Sequence, residues 1–484
     1  MTGPVVCVVG GGLAGLSAAL TAADGGAVVT LLEARPRLGG ATFSFERDGL
    51  PIDNGQHVFL RCCTAYQDFL RRVGSQDRVQ MQDRLRIAVV SPGGRIATIG
   101  RSGAPSPLHL AATIARYPLL SGWEKAAAGR AVAALRRLDP DDPRLDAESL
   151  GHWLGRHGQS DRAIDALWGL ISVATTNVLP DETSMRLGAT VLRTGLLERA
   201  DAADIGVPAV PLSRLHADPA ATALTEIGAT VHTGTRVTGV RREGGRLRVE
   251  VAGAAFLAAD AVIVAVPHDR VEAVLPPGTI TGPSPAGLGF SPIVNLHVLY
   301  DRRVTDLAFA AGHDSPVQWV FDRTASAGVT DGQYLTVSLS AAETYLNEPV
   351  ASLRGTFVPA LADLFPAARS AVLRRFLVTR EPHATFRGAP STANLRSGEC
   401  TDTPGVFVAG SWTDTGWPAT MEGAVRSGVR AARRALASVH LRADRDHLGV
   451  DHLDDRRDLV TGSDVVTPPT SPPARLPAEA RITP

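Results

Sequence analysis

Lysine is almost missing from this chain. Lys125 is the only lysine among 49 basic side chains, so arginine carries the positive charge, a pattern we attribute to genomic bias toward Arg, Ala and Gly codons. The 49 acidic residues balance it to a formal net charge of zero, which leaves no electrostatic argument for a nucleic-acid partner. Cysteine is scarce too: Cys7 falls in an apolar run, Cys62 and Cys63 are adjacent, and Cys400 is alone. Thiols so placed form neither a disulfide framework nor a Cys-x-x-Cys metal site, and a reducing cytoplasm is the expected setting. No apolar run approaches the roughly 20 residues that cross a bilayer, and the first motif starts at Gly10, with no room for a secretory leader before it. The expectation is a soluble or peripheral protein. At 484 residues the chain exceeds what one hydrophobic core usually serves, so two domains or an interleaved pair are expected.

Glycine is plentiful, and its placement carries the first positive signal. Val5–Val9 is a short apolar run suited to a strand buried on both faces, and Gly10, Gly12 and Gly15 follow it with G-x-G-x-x-G spacing. Gly10 permits a tight turn, Gly12 lets the backbone approach a pyrophosphate, and Gly15 removes a side chain where a helix packs on the strand. The N–H groups at that helix start, at Leu13 and Ala14, face the phosphates. A second strand, Ala27–Leu32, ends in Glu33, whose carboxylate can accept hydrogen bonds from ribose hydroxyls. The run Ala34-Arg35-Pro36-Arg37-Leu38-Gly39-Gly40-Ala41-Thr42 then brings a paired glycine close behind that acid, which suggests a second backbone approach to the phosphates and points to FAD.

Further along, Asp53-Asn54-Gly55-Gln56-His57 is a polar cluster between apolar runs. Residues from about 76 to 203 read as mostly helical and alanine-rich, either lining a lipid tunnel or filling an ordinary core. Short strands are expected at 228–233, 236–242, 247–251 and 260–267. Ser291–Asp301, Val317–Asp322, Tyr334–Ser340 and Arg374–Thr379 alternate as an antiparallel sheet with one covered face, and Pro382 and Pro390 bracket a loop leading back. Gly405–Gly410 is another buried strand, followed by a Trp- and Thr-rich loop and a helix that opens at Met421-Glu422-Gly423. Past 441 the composition turns to Asp, Arg and His and then to Pro and Thr, as expected of a disordered tail over 441–484.

These stretches together resemble the flavin amine oxidase and phytoene desaturase superfamily. Arg35–Thr42, Asp53–His57 and Trp412–Ala424 are most similar to its squalene-associated, desaturase-like branch, the hydroxysqualene dehydroxylases of bacterial hopanoid pathways. The resemblance implies an α/β architecture in which a Rossmann-like FAD-binding domain (1–75, 206–270 and 391–437) is interleaved with a mixed α+β substrate domain (76–205 and 271–390). It further implies a backbone contact from Val237 to the adenine, cofactor contacts at Gly410 and Ser411, and main-chain contacts at Met421 and Glu422, where a helix N-terminus favours the electron-rich edge of reduced flavin. Relatives usually place Arg after the paired glycine and an acid after the glycine matching Gly410. This chain has Ala41 and Ser411 instead, so any phosphate-facing guanidinium must be Arg35 or Arg37, and weaker flavin retention is expected.

The implied reaction is reductive: the hydroxyl of hydroxysqualene leaves as water and hydride replaces it. His57 and Asp414 are the candidates for proton delivery or charge stabilisation, with His57 equally readable as a residue that only shapes its loop. An apolar isoprenoid substrate implies contact with a membrane surface at the inner face, prenyl-synthase partners and an electron donor that the sequence does not identify. Competing readings are a carotenoid or phytoene desaturase, an amine oxidase, for which five tyrosines give no obvious aromatic cage, and an inactive protein that presents lipid to a prenyl synthase.

Overall fold

The computed structural model describes residues 3–139, 142–253 and 256–448. Strand β1 (Val5–Val9), apolar throughout, takes the centre of a five-stranded sheet where both its faces are covered. Strand β2 (Val28–Leu32) pairs with it on one side and Ala261–Val264 on the other, so that Val8 stands between Leu31 and Ile263. Thr230–His232 and Val406–Val408 complete the edges, and every pairing is parallel. Between β1 and β2 runs helix α1 (Leu13–Asp24), buried at most positions because it is covered by the sheet on one side and by the closing helix, Met421–Leu448, on another.

A second, seven-stranded sheet carries the other half of the fold. Its order is Leu373–Phe386, Phe290–Tyr300, Gln333–Ser340, Trp319–Asp322, Phe309–Gly312, Arg86–Ser91 and Arg95–Gly100. All neighbours are antiparallel except Phe309–Gly312 with Arg86–Ser91. One face packs Val294, Leu296 and Val298 against the helix Val350–Leu364 through Leu353, Phe357 and Leu361. Helices between Leu108 and Leu197 cover the far end of the opposite face.

Three expectations need correction. The stretch read as helical from residue 76 contains the hairpin Arg86–Gly100, turned at Pro92-Gly93-Gly94, because its first strand is buried almost throughout and so lacks the alternation that marks a half-covered strand. The seven-stranded sheet is accordingly mixed. Pro382 lies inside Leu373–Phe386 and does not open a loop; that strand is the sheet's edge, where a missing N–H costs no ladder bond. The closing helix runs to Leu448, past the boundary at 441 read from composition, and residues 449–484 of that tail lie outside the described residues. Met1–Val439 forms one compact unit to which both sheets belong.

Candidate cofactor and substrate site

The glycine turn after β1 is a cradle that side chains would fill. Gly10 has φ 107°, and a Cβ there would lie 2.3 Å from the Ala265 carbonyl oxygen. On Gly15 a Cβ would lie 1.8 Å from the carbonyl oxygen of Gly10. Gly12 caps α1 with no side-chain acceptor, and the first turn holds no acid, so the N–H groups at Leu13 and Ala14 keep their partial positive charge for an anion. The paired glycine returns to this point: Gly39 N–H donates to the Gly11 carbonyl at 2.8 Å, and a Cβ on Gly40 would lie 2.7 Å from Gly12 Cα. Two glycine loops therefore meet backbone to backbone at one helix start, as a pyrophosphate site requires.

Glu33 is buried at the end of β2, where its carboxylate accepts from the N–H groups of Gly11 (2.6 Å) and Arg35 (2.7 Å). Those bonds fix its orientation and leave lone pairs for ribose hydroxyls. The Glu33 carbonyl accepts from Thr235 N–H at 2.8 Å, which sets Val237, buried at the start of the next strand, in the same corner. Ala34, Arg35 and Ala41 are exposed. Arg37 is tied to its own loop, its guanidinium 3.4 Å from the Phe43 ring centre and donating to Gly40 O, so of these two arginines Arg35 is the one whose side chain makes no hydrogen bond among the described residues.

The closing segment packs against this cradle. A Cβ on Gly428 would lie 2.1 Å from Ala14 O, so the closing helix runs hard against α1. Gly410 N–H donates to Ser427 Oγ at 2.8 Å, and the half-buried Ser411 hydroxyl makes no hydrogen bond among the described residues. Glu422 is fully buried with its side chain committed elsewhere: it accepts from the N–H groups of Ala65 and Tyr66, capping the helix Thr64–Arg72, and from Arg426 Nε. The Met421 side chain packs on the α1 core. Both residues therefore present only main-chain N–H groups to a cofactor. Arg396, which no motif marks, is a buried guanidinium that donates to the carbonyls of Trp412 (3.1 Å), Thr413 (2.8 Å) and Trp417 (2.7 Å).

The polar cluster ties the loop after the paired glycine to the seven-stranded sheet. Asp53 is buried and pairs with the equally buried Arg323 at 2.6 Å, while also accepting from Ser44 Oγ and Leu212 N–H. Asn54 staples residues 41–43, and its carbonyl accepts from Asn295 Nδ2 (3.3 Å) and Thr379 Oγ1 (3.4 Å) on the seven-stranded sheet. From Thr379 the chain of polar groups continues through His297 to the Tyr334 hydroxyl. His57 follows, half-buried, with Nδ1 3.1 Å from the Gly55 carbonyl. A carbonyl only accepts, so Nδ1 carries the proton and Nε2 presents a lone pair. Burial pushes the His57 pKa below its usual value, favouring this neutral form.

After His57 the chain enters the helical core at Val58 and Leu60. Val58, Leu60, Ile164, Leu170, Ile171, Val207 and Trp319 are partly buried against the helical core, and the Phe309, Trp319 and Phe321 rings cluster on the covering sheet. Two helices of this wall carry π-turns, Ile164–Gly169 and Arg193–Leu197, and Gly195 of the second lies directly against Leu60. Asp414 lies in the loop after Gly410, and no contact joins it to His57 among the described residues. Its Oδ1 accepts from Gly416 N–H at 3.3 Å and Oδ2 lies 3.6 Å from Arg186. Among the described residues no group of His, Cys, Asp and Glu is arranged to hold a metal ion.

Comparison with known proteins fits this geometry. A hydroxysqualene dehydroxylase of Rhodopseudomonas palustris is 28% identical over 440 residues, covering 90% of this chain and 98% of the relative. The 15-cis-phytoene desaturase of Glycine max is 26% identical, over 91% of this chain and 80% of the relative. Cyclohexylamine oxidase from Brevibacterium oxydans shares the fold, with a TM-score of 0.69 at 17% identity over 90% of this chain and 100% of that one. Residues 13–436 match the flavin containing amine oxidoreductases as a family. The residues at the glycine cradle and at Glu33 suit the dinucleotide such enzymes carry, and the chain belongs to the flavin containing amine oxidoreductase family as an FAD-dependent oxidoreductase.

Proposed function

We propose that this enzyme removes the hydroxyl group of hydroxysqualene to give squalene. The observation that carries the reading is His57, a polar group able to handle a proton, which lies in the chain between Asn54, bonded to the loop after the paired glycine, and Val58 and Leu60, which pack against the helical core. The full-length similarity to hydroxysqualene dehydroxylases supports the substrate class. Reduced FAD, when bound, supplies the hydride for the new C–H bond. The C–O bond breaks with both electrons leaving on oxygen, which takes up a proton and departs as water. An allylic hydroxyl leaves only once protonated, so the chain must present a donor and keep the resulting cation dry. His57 delivers that proton in its imidazolium form, while Leu60, Ile164, Val207 and Trp319 exclude water. Gly10–Ala14, Glu33, Gly39 and Gly40 hold the dinucleotide, with Val237, Ser411 and the main chain at Met421 and Glu422 completing its contacts. Asp414 serves the cation electrostatically, through the loop that it caps.

One observation favours a second reading, polyene desaturation. Neutral His57 with a free Nε2 is in the right state to accept a proton, as an oxidative reaction demands, and phytoene desaturases match the chain nearly as well. An anaerobic single turnover separates the two. Reduced enzyme mixed with hydroxysqualene is expected to reoxidise its flavin as squalene appears in equal amount; flavin reduction on mixing oxidised enzyme with phytoene, and silence with hydroxysqualene, would reverse the assignment. So apolar a substrate must be collected from a lipid surface, and among the described residues no helix is long and apolar enough to cross a membrane.

A further inference from the structure

We propose that Arg396 is a positioning residue for the cofactor site: it fixes the loop from Ser411 to Trp417 and sets a buried positive charge beside the start of the closing helix, favouring reduced flavin over oxidised. Arg396 is 8% exposed. Nε donates to the Trp412 carbonyl, and Nη2 to those of Thr413 and Trp417, with Ser411 O at the limit of range at 3.5 Å. One planar fork thus gathers most of the carbonyls of a loop that has no regular structure of its own. The end of that loop abuts the helix: a Cβ on Gly423 would lie 2.9 Å from Pro418 O and 3.5 Å from Trp417 Cβ.

What distinguishes Arg396 from an ordinary structural arginine is its charge balance. Every acceptor it meets is a neutral carbonyl, the ring of Phe386 covers it at 4.9 Å, and no carboxylate lies within ion-pair distance among the described residues. Asp414 and Asp146 favour its charge only from beyond ion-pair distance, and Arg186 opposes them. Burying a cation without a contacting carboxylate is costly, and such a cost is tolerated where a negative charge arrives during function. Burial lowers its pKa to about 10, which still leaves it a cation at neutral pH. Two-electron reduction with uptake of one proton makes the flavin ring system anionic, and the guanidinium then acts in the same sense as the positive end of the closing helix.

The test uses the FAD-bound protein without any lipid, so its result does not depend on which isoprenoid is the substrate. Oxidised-FAD affinity, the two-electron potential and the melting temperature are measured for wild type, Arg396→Lys and Arg396→Met. Both variants are expected to bind oxidised FAD more weakly, since neither reproduces the fork. Only Arg396→Met should weaken reduced FAD about tenfold more than oxidised FAD, moving the potential about 30 mV negative. Arg396→Lys, which keeps the charge, should hold the wild-type potential. An unchanged potential in Arg396→Met, or an equal shift in both variants, overturns the proposal. Should Arg396→Met not fold, Arg396→Gln removes the charge while keeping donors, and the same comparison decides.

Discussion

His57 is the residue whose protonation state matters most, and it yields a prediction with a sign. Its pKa lies below 6.5 because burial penalises the imidazolium, so the acid form grows as pH falls toward that lowered value. Hydroxyl removal should therefore accelerate as the pH is lowered from 7.5 to 6, whereas desaturation, needing the neutral base, should slow; single-turnover rates across that range give the answer. His57→Ala should retain FAD yet lose about 100-fold in turnover, and normal turnover with bound flavin would reduce His57 to a loop residue. Ser411→Asp should lower the Kd for FAD about tenfold, because a carboxylate accepts stronger, charge-assisted bonds from the ribityl hydroxyls than a serine does; flavin-fluorescence titration measures it. The cluster Asp53–His57 was readable as important from its own residues. Its partner Arg323, 270 positions away, was not, and neither was Arg396, because a single arginine carries no local pattern to mark that it will be buried.

At the level of elements, the fold stands on a few contacts in which main chain touches main chain. Gly428→Ala tests one of them. The added methyl would meet Ala14 O and Ser17 Oγ at 2.1 and 2.3 Å, so the closing helix must back away from α1, at a cost of about 1–3 kcal/mol in urea unfolding and with visible loss of bound flavin. A variant as stable as wild type would show that the two helices are free to shift. The unit β1–α1–β2 was legible because strand, glycines and terminal acid follow a spacing that backbone geometry dictates. The hairpin Arg86–Gly100 was not: a buried strand and a buried helix look alike to periodicity, and only Pro92-Gly93-Gly94 hinted at the turn. The long edge strand Leu373–Phe386 was underestimated because Pro382 was read as a stop signal, a rule that edges relax.

The molecule as a whole contains buried histidines that make its stability depend on pH. His216, against the Tyr66 hydroxyl, and His297, between Tyr334 and Thr379, are both held near a pKa of about 3 by burial. Above pH 6.5 they are neutral folded or unfolded and contribute no difference. Below it only the unfolded chain takes up the protons, so stability falls with acidification, by about 2 kcal/mol for each at pH 5. A melting temperature that stays flat from pH 7 to 5 would contradict this account. The parallel sheet has a consequence of another kind, in the order of biosynthesis. β1 and β2 are the earliest of its strands, whereas Thr230–His232 reaches β2, Ala261–Val264 reaches β1 and Val406–Val408 reaches Ala261–Val264 only much later in the chain. The nascent chain holds β1 with an open edge until Ala261–Val264 is made, and Ala261–Val264 in turn keeps an open edge until the whole of the second sheet has been made, so cofactor capture waits for the closing helix and chaperone demand should be greatest in that interval.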